Sequence, residues 1–178
     1  MFKKIALTFA CSFGLFGAAF AGEQYVDATG FAVSGYDVVS YFDIAQSEVG
    51  QSEVGQPQPS PVPGRAAITA EYNGATFAFA TEANRATFLA NPMSFVPQYD
   101  GHCAYGVAKG GKVPGNPTLW RIVDGKLYLN ITKDVVGFWE EDIPGNLMKS
   151  EKNWVGIEPA EASGNKIPNF TSAAPLAN

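Results

Sequence analysis

The sequence predicts an α+β domain, a single unit in which two antiparallel β-hairpins carry several short packed helices. Two observations support this. Asn73-Gly74 and Asp124-Gly125 each separate two short runs rich in β-branched and aromatic residues. Such dipeptides supply the positive-φ pair of a type I′ hairpin turn. Thr81 and Thr132 each follow a hairpin and open a stretch with helical spacing, and prolines stand beyond at Pro92 and Pro144. A threonine cap and a proline stop bracket a short helix.

The chain opens on a segment outside this pattern. Lys3 and Lys4 precede an uncharged apolar run, 5–20, and Ala19-Phe20-Ala21 closes it. That order is a secretory signal peptide over 1–21, with the mature chain starting at Gly22. The apolar run is short for a membrane span and no stop-transfer flank follows, so no stable membrane anchor is expected after cleavage. Thr8-Phe9-Ala10 before Cys11 is not a lipobox. An exported protein, periplasmic or secreted, is expected. Cleavage removes two lysines and no acids, which takes the formal net charge from −5 to −7. Such a chain repels phosphate backbones and anionic lipid, so nucleic acid and membrane surfaces are not expected as partners. Nothing in the sequence sets an oligomeric state. Cys103 is the one cysteine left after residue 21, so no intrachain disulfide can form and the fold must rest on its core.

Residues 22–157 are read as the domain. A short strand is expected at 24–28, and 35–42 forms a helical turn with Tyr36, Val39, Tyr41 and Phe42 on one side. In 44–64 the pentapeptide QSEVG occurs twice in tandem, and Pro57, Pro59, Pro61 and Pro63 alternate. Proline at every second position favours extended polyproline II, so this is expected to be a surface loop. The central unit is 66–105. Strands 66–72 and 75–80 flank Asn73-Gly74, with Phe77 and Phe79 on one face. In the helix after Thr81, Ala83, Ala86, Leu89 and Ala90 make a small-residue face that Phe88 widens, suited to lie close against the hairpin. A second short helical piece, 92–99, delivers Tyr99. A helix through Ala108 and a Gly/Pro-rich loop, 110–117, lead to strands 119–123 and 126–130. Val135, Val136 and Trp139 line the helix after Thr132, with Phe138 beside them. Leu147 and Trp154 lie on a last helix, 146–155, after Pro144 as a break. Residues 158–178 lack periodicity and are expected to be a disordered tail.

His102-Cys103 is the one reactive pair. Cys103 is either buried and inert or exposed and reactive. If reactive, it could serve a thiol-dependent enzyme as nucleophile. As a metal site for copper or zinc, His102 and Cys103 give two ligands, which Asp37, Asp100, Glu71 or a second subunit would have to complete. Tyr36, Tyr41, Tyr72, Tyr99 and Tyr105 crowd near the central unit, which suits either a binding groove or an ordinary aromatic core. The candidate ligand-binding set is Tyr36, Tyr41, Tyr99, His102, Cys103 and Tyr105. No catalytic residue is assigned, because no phosphate-cradling glycine motif and no Ser/His/Asp elbow occur. Glu140, Glu141 and Asp142 read as solvated acids at a helix end.

The stretch Tyr72-Asn-Gly-Ala-Thr-Phe-Ala-Phe79, with Arg85-Ala-Thr-Phe88 and Pro92, resembles the YHS domain pattern of Y-x-G-x-x-F-x-F followed by R-x-x-F and proline. Gly35-Tyr-Asp-Val-Val-Ser-Tyr-Phe42 is similar to the opening of exported YHS-domain proteins. The resemblance runs on to about residue 157. It implies a YHS-like α+β module, and the wider group is associated with metal handling through three cysteines. Carried over by position, those cysteines fall on Ser40, Ala80 and Asn84, none of which is a thiol. The first functional expectation is an exported, non-catalytic YHS-type module that binds a small ligand or a protein partner, with metal handling through His102 and Cys103, or a thiol-dependent enzyme using Cys103, as the alternatives.

Overall fold

The computed structural model describes residues 22–47 and 58–177. The segment read as a signal peptide, 1–21, and residues 48–57 of the repeat-bearing loop lie outside the described residues. The chain is an α+β domain. Its elements run α1 (Val38–Gln46), β1 (Arg65–Tyr72), β2 (Ala75–Phe79), α2 (Glu82–Ala90), α3 (Ala104–Ala108), β3 (Asn116–Val123), β4 (Lys126–Asn130), α4 (Lys133–Glu140) and α5 (Ile143–Ile157).

Both hairpins form where the turn dipeptides require them. Asn73 and Gly74 have φ of 48° and 75°, and Asp124 and Gly125 have 49° and 71°. These values fit the type I′ geometry that matches the twist of the flanking strands. In the first hairpin Tyr72 pairs with Ala75 and Ala70 with Phe77, with an irregularity between Arg65 and Thr69. In the second, Val123 pairs with Lys126 and Arg121 with Tyr128, and a similar irregularity lies between Asn116 and Trp120. Each hairpin is its own two-stranded sheet.

The second hairpin is a wall between two cores. Leu127 and Leu129 pack with Tyr41, Phe77, Phe79, Phe88 and Trp120. Tyr128, between them, packs with Tyr99, Ala104, Val107 and Trp139. Alternate strand residues point to opposite faces, so one five-residue strand serves both cores.

Threonine caps both helices as read: Thr81 accepts from Asn84 N and Thr132 from Val135 N. Elsewhere the structure differs from expectation. On α2 only Phe88 is buried, while Ala83, Ala86, Leu89 and Ala90 face outward. A single phenylalanine, with ring centroids 5.1 Å from both Phe77 and Phe79, docks the helix. The pair of rings on β2 offers a socket for one large side chain, not a flat surface for small ones. Pro144 lies in the first turn of α5, which Asp142 caps through Gly145 N. Proline there removes an N–H that has no helical partner anyway, so it starts the helix instead of breaking one. Residues 24–28 form no strand beyond a bridge between Val26 and Ala32. The proline-rich segment is anchored at its end: α1 extends to Gln46, Pro61 is buried, and Pro59 O accepts Trp120 Nε1–H at 3.1 Å.

Residues 158–177, read from composition as disordered, lie along the domain as a strap. Ile167 and Ala174 are buried. Near the end, Leu176 N donates to Gly64 O and Ala66 N donates to Leu176 O, so the strap joins the edge of β1 in parallel. Its hold is mostly backbone, which a search for side-chain periodicity does not register.

Candidate functional site

The segment ahead of α3 places the chain's one imidazole and, among the described residues, the one thiol. Tyr99 and Asp100 have φ of 56° and 52°, and Gly101 follows at 78°. Three successive left-handed residues form a tight turn that non-glycine side chains adopt at a cost of about 1–2 kcal/mol each. The turn presents Tyr99 O to two donors, His102 N and His102 Nδ1, both at 2.9 Å. The same geometry recurs at Val33, Ser34 and Gly35, with φ of 53°, 51° and 76°. Both turns meet segments near the ends of the described residues. Tyr25 N donates to Asp100 O, and Ser172 Oγ donates to Ser34 O at 2.9 Å.

His102 is fully buried. Nδ1–H goes to Tyr99 O, and Nε2 accepts Ser163 N–H from the strap at 3.1 Å. Burial pushes its pKa down to about 4, so the ring is neutral at pH 7 and both nitrogens are satisfied. Cys103 is equally buried. Its sulfur caps α3 by accepting Gly106 N–H at 3.4 Å and donates to Asn130 Oδ1 at 3.5 Å. Desolvation raises the thiol pKa. The two side chains have different neighbours: His102 meets Tyr25 and Trp154, and Cys103 meets the β4 end and α3.

The tyrosines do not ring this pair. Tyr36 and Tyr41 belong to the first core and Tyr99 to the second. Tyr41 O–H donates to Pro117 O at 3.0 Å, and its ring meets Trp120 edge-on. Tyr105 is half-buried under Lys109 Nζ, 4.8 Å from its centroid. Nor do the acids considered for a metal site converge. Glu71 accepts Thr76 O–H on the exposed hairpin face, and Asp100 Oδ1 accepts Gln24 Nε2–H at 2.7 Å. Among the described residues no group of three or more His, Cys, Asp or Glu is placed to hold one ion.

Asp37 marks a second focus. It is fully buried. Oδ1 accepts Val39 N–H at 3.0 Å, capping α1, and Oδ2 accepts Ala80 N–H at 2.8 Å and Asn84 Nδ2–H at 2.7 Å. Ser40 Oγ donates to Asp37 O at 2.6 Å. Ser40, in the first turn of α1, and Ala80 and Asn84, four residues apart after the first hairpin, therefore all touch one residue. The Asp37 carboxylate thus has three N–H donors.

Concave surface lies elsewhere. A cleft of about 330 Å³ is lined by Thr118, Leu119, Ile131, Lys133, Asn169 and Phe170, among others. A second, of about 360 Å³, is lined by Tyr25, Asp27, Lys166, Ile167, Phe170 and Ser172, among others. Phe170 of the strap is common to both. None of the six residues singled out from sequence lines either cleft. The signal that would have found them is the lone phenylalanine in a polar tail.

Searches of protein-family models, curated proteins and solved structures find no match to this chain.

Proposed function

We propose that this chain is an exported YHS-type module that does no covalent chemistry and binds a small polar ligand in the clefts on either side of Phe170. The observation that carries the reading is the shared wall: one aromatic side chain of the strap divides two openings, each of a size that takes a small molecule. The first opening mixes apolar Leu119 and Ile131 with Thr118, Asn169 and the ammonium of Lys133. Few polar groups in a partly apolar cleft give orientation along with burial. A non-catalytic role is supported by the environment of His102 and Cys103, whose burial works against the thiolate and against the imidazolium. What supports the YHS-type reading is that Ser40, Ala80 and Asn84, the positions where the wider group carries cysteines, each contact Asp37. A copper or zinc role gains no support from His102, whose Nε2 lone pair is already engaged.

The test is native mass spectrometry of the exported protein, followed by fragment screening with backbone amide shifts. A retained or titrated ligand should move the amides of Thr118, Lys133 and Asn169, and Phe170→Ala should weaken it at least tenfold. Shifts scattered over the surface, or unaltered binding in Phe170→Ala, would overturn the reading.

A further inference from the structure

We propose that Gly22 is a processed N-terminus with a built receptor: after cleavage of the Ala21–Gly22 bond, the new α-ammonium docks between the carboxylates of Asp100 and Glu158 and pins the start of the strap to the domain. A leader peptidase would supply the step by hydrolysis. The Ala21–Gly22 C–N bond breaks, water gives its hydroxyl to the Ala21 carbonyl carbon, and the Gly22 nitrogen gains protons to become –NH₃⁺.

The place is shaped for this group. Gly22 is buried, and its nitrogen lies 3.4 Å from Glu158 Oε1. A methyl group on Gly22 would fall on Asp100 Oδ2 and 2.7 Å from Glu158 O, so only glycine fits. Asp100 Oδ2 is buried without a hydrogen-bond partner, while its sister oxygen is held by Gln24. Neither carboxylate forms an ion pair with a described side chain. Lys112 is the near cation, but its Nζ donates to Glu158 O at 3.1 Å and Ala160 O at 2.5 Å and sits over the Trp154 ring. Glu23 turns to Ala162 N, and His102 is neutral.

The site thus lacks one donor for Oδ2 and one positive charge. A peptide N–H gives a single donor and no charge; an α-ammonium gives three donors and a charge. Desolvation, and then the negative charge of Glu158, raise the Asp100 pKa, with Lys112 opposing. A second cation would relieve that repulsion. Ala19-Phe20-Ala21 ends where the receptor begins. The inference is independent of the ligand reading, since none of these residues lines the clefts around Phe170.

The experiment expresses the full chain in an export-competent bacterial host, with glycine carrying ¹³C at Cα. N-terminal sequencing of the product should begin at Gly22. Its α-carbon should report an α-amino pKa at least about one unit above the ordinary range of about 7.7–8.0. Asp100→Asn and Glu158→Gln should each remove a large part of that rise; the Glu158 variant keeps the test alive if the Asp100 variant does not fold. A product that begins elsewhere, an α-amino group that titrates in its ordinary range, or a rise unchanged in the variants would overturn the proposal.

Discussion

The Nε2 atom of His102 accepts the backbone N–H of Ser163 at 3.1 Å, across 61 positions of sequence. With Nδ1 donating to Tyr99 O, the ring is fixed as one neutral tautomer. A proton on Nε2 would turn an acceptor against an N–H donor, inside a buried site.

That relationship predicts acid sensitivity. The folded pKa of His102 lies at about 4, below an unfolded value near 6.5. Below about pH 6.5 the unfolded chain binds a proton that the native chain refuses, so stability falls as pH drops toward 4. The loss is on the order of 3 kcal/mol. Asp100, whose folded pKa is raised, takes up its proton earlier in the native state and offsets part of the loss. Denaturant unfolding followed between pH 7 and 4 checks this, with His102→Gln expected to flatten the slope. Ser163→Pro, which deletes the N–H, should raise the His102 pKa as read by NMR.

Asp37 predicts a large loss of stability. Three donors point at its carboxylate, and Asp37→Ala leaves the buried ones unmet at about 1–3 kcal/mol each. A total loss of roughly 3–5 kcal/mol is expected for breaking such a buried charged network. Asn84→Ala should cost less, since it removes one donor and leaves the carboxylate two. Urea melts of the three proteins rank them, and equal losses for both variants would deny Asp37 its central role.

How much of this was legible in the sequence depends on the range of the interaction. The turns at Asn73-Gly74 and Asp124-Gly125 and the caps at Thr81 and Thr132 are local, and a few neighbouring residues determine them. The division of β4 between two cores is not local. Alternation predicts that Leu127 and Tyr128 face opposite ways, but only the packing of α3, α4 and α5 makes the second face a core. The outward small face of α2 has the same origin, because the partner surface decides which residue docks. The strap was hidden because its anchors are backbone hydrogen bonds and isolated side chains such as Ile167. The clefts around Phe170 followed the strap out of sight. His102 and Cys103 were found as a pair, but only the structure separates their neighbourhoods.

Cys103 predicts a silent thiol. With the sulfur fully buried and its pKa raised, a thiol reagent at neutral pH should label Cys103 only with denaturant present. Cys103→Ser should be milder than Cys103→Val, despite the apolar surroundings. A hydroxyl can still cap Gly106 N and donate to Asn130 Oδ1, whereas valine strands Gly106 N and leaves Asn130 Oδ1 with only the Tyr105 N–H, at a cost of about 1–2 kcal/mol. Thermal melts compare the two. A valine variant as stable as the serine one would mean that the sulfur contacts contribute nothing.

Gly35 and Gly74 predict a measurable contribution of the strap end. Their φ values are nearly equal, 76° and 75°, so alanine at either pays a similar left-handed cost of about 1–2 kcal/mol. What a methyl group meets differs. At Gly74 nothing lies within 4 Å, whereas at Gly35 it would come within 2.5 Å of Pro175. Gly35→Ala must either displace the strap end, with its Leu176–Gly64 hydrogen bond, or move the turn. It should therefore destabilise more than Gly74→Ala in the full chain. In a chain ending at residue 172 the obstacle is gone, and the two substitutions should cost the same. The excess seen in the full chain and absent in the shortened one is the coupling between Gly35 and the strap, and urea unfolding of the four variants with their two parents measures it. An equal excess in both backgrounds would place the strain within the Val33–Gly35 turn itself and leave the strap without a role there.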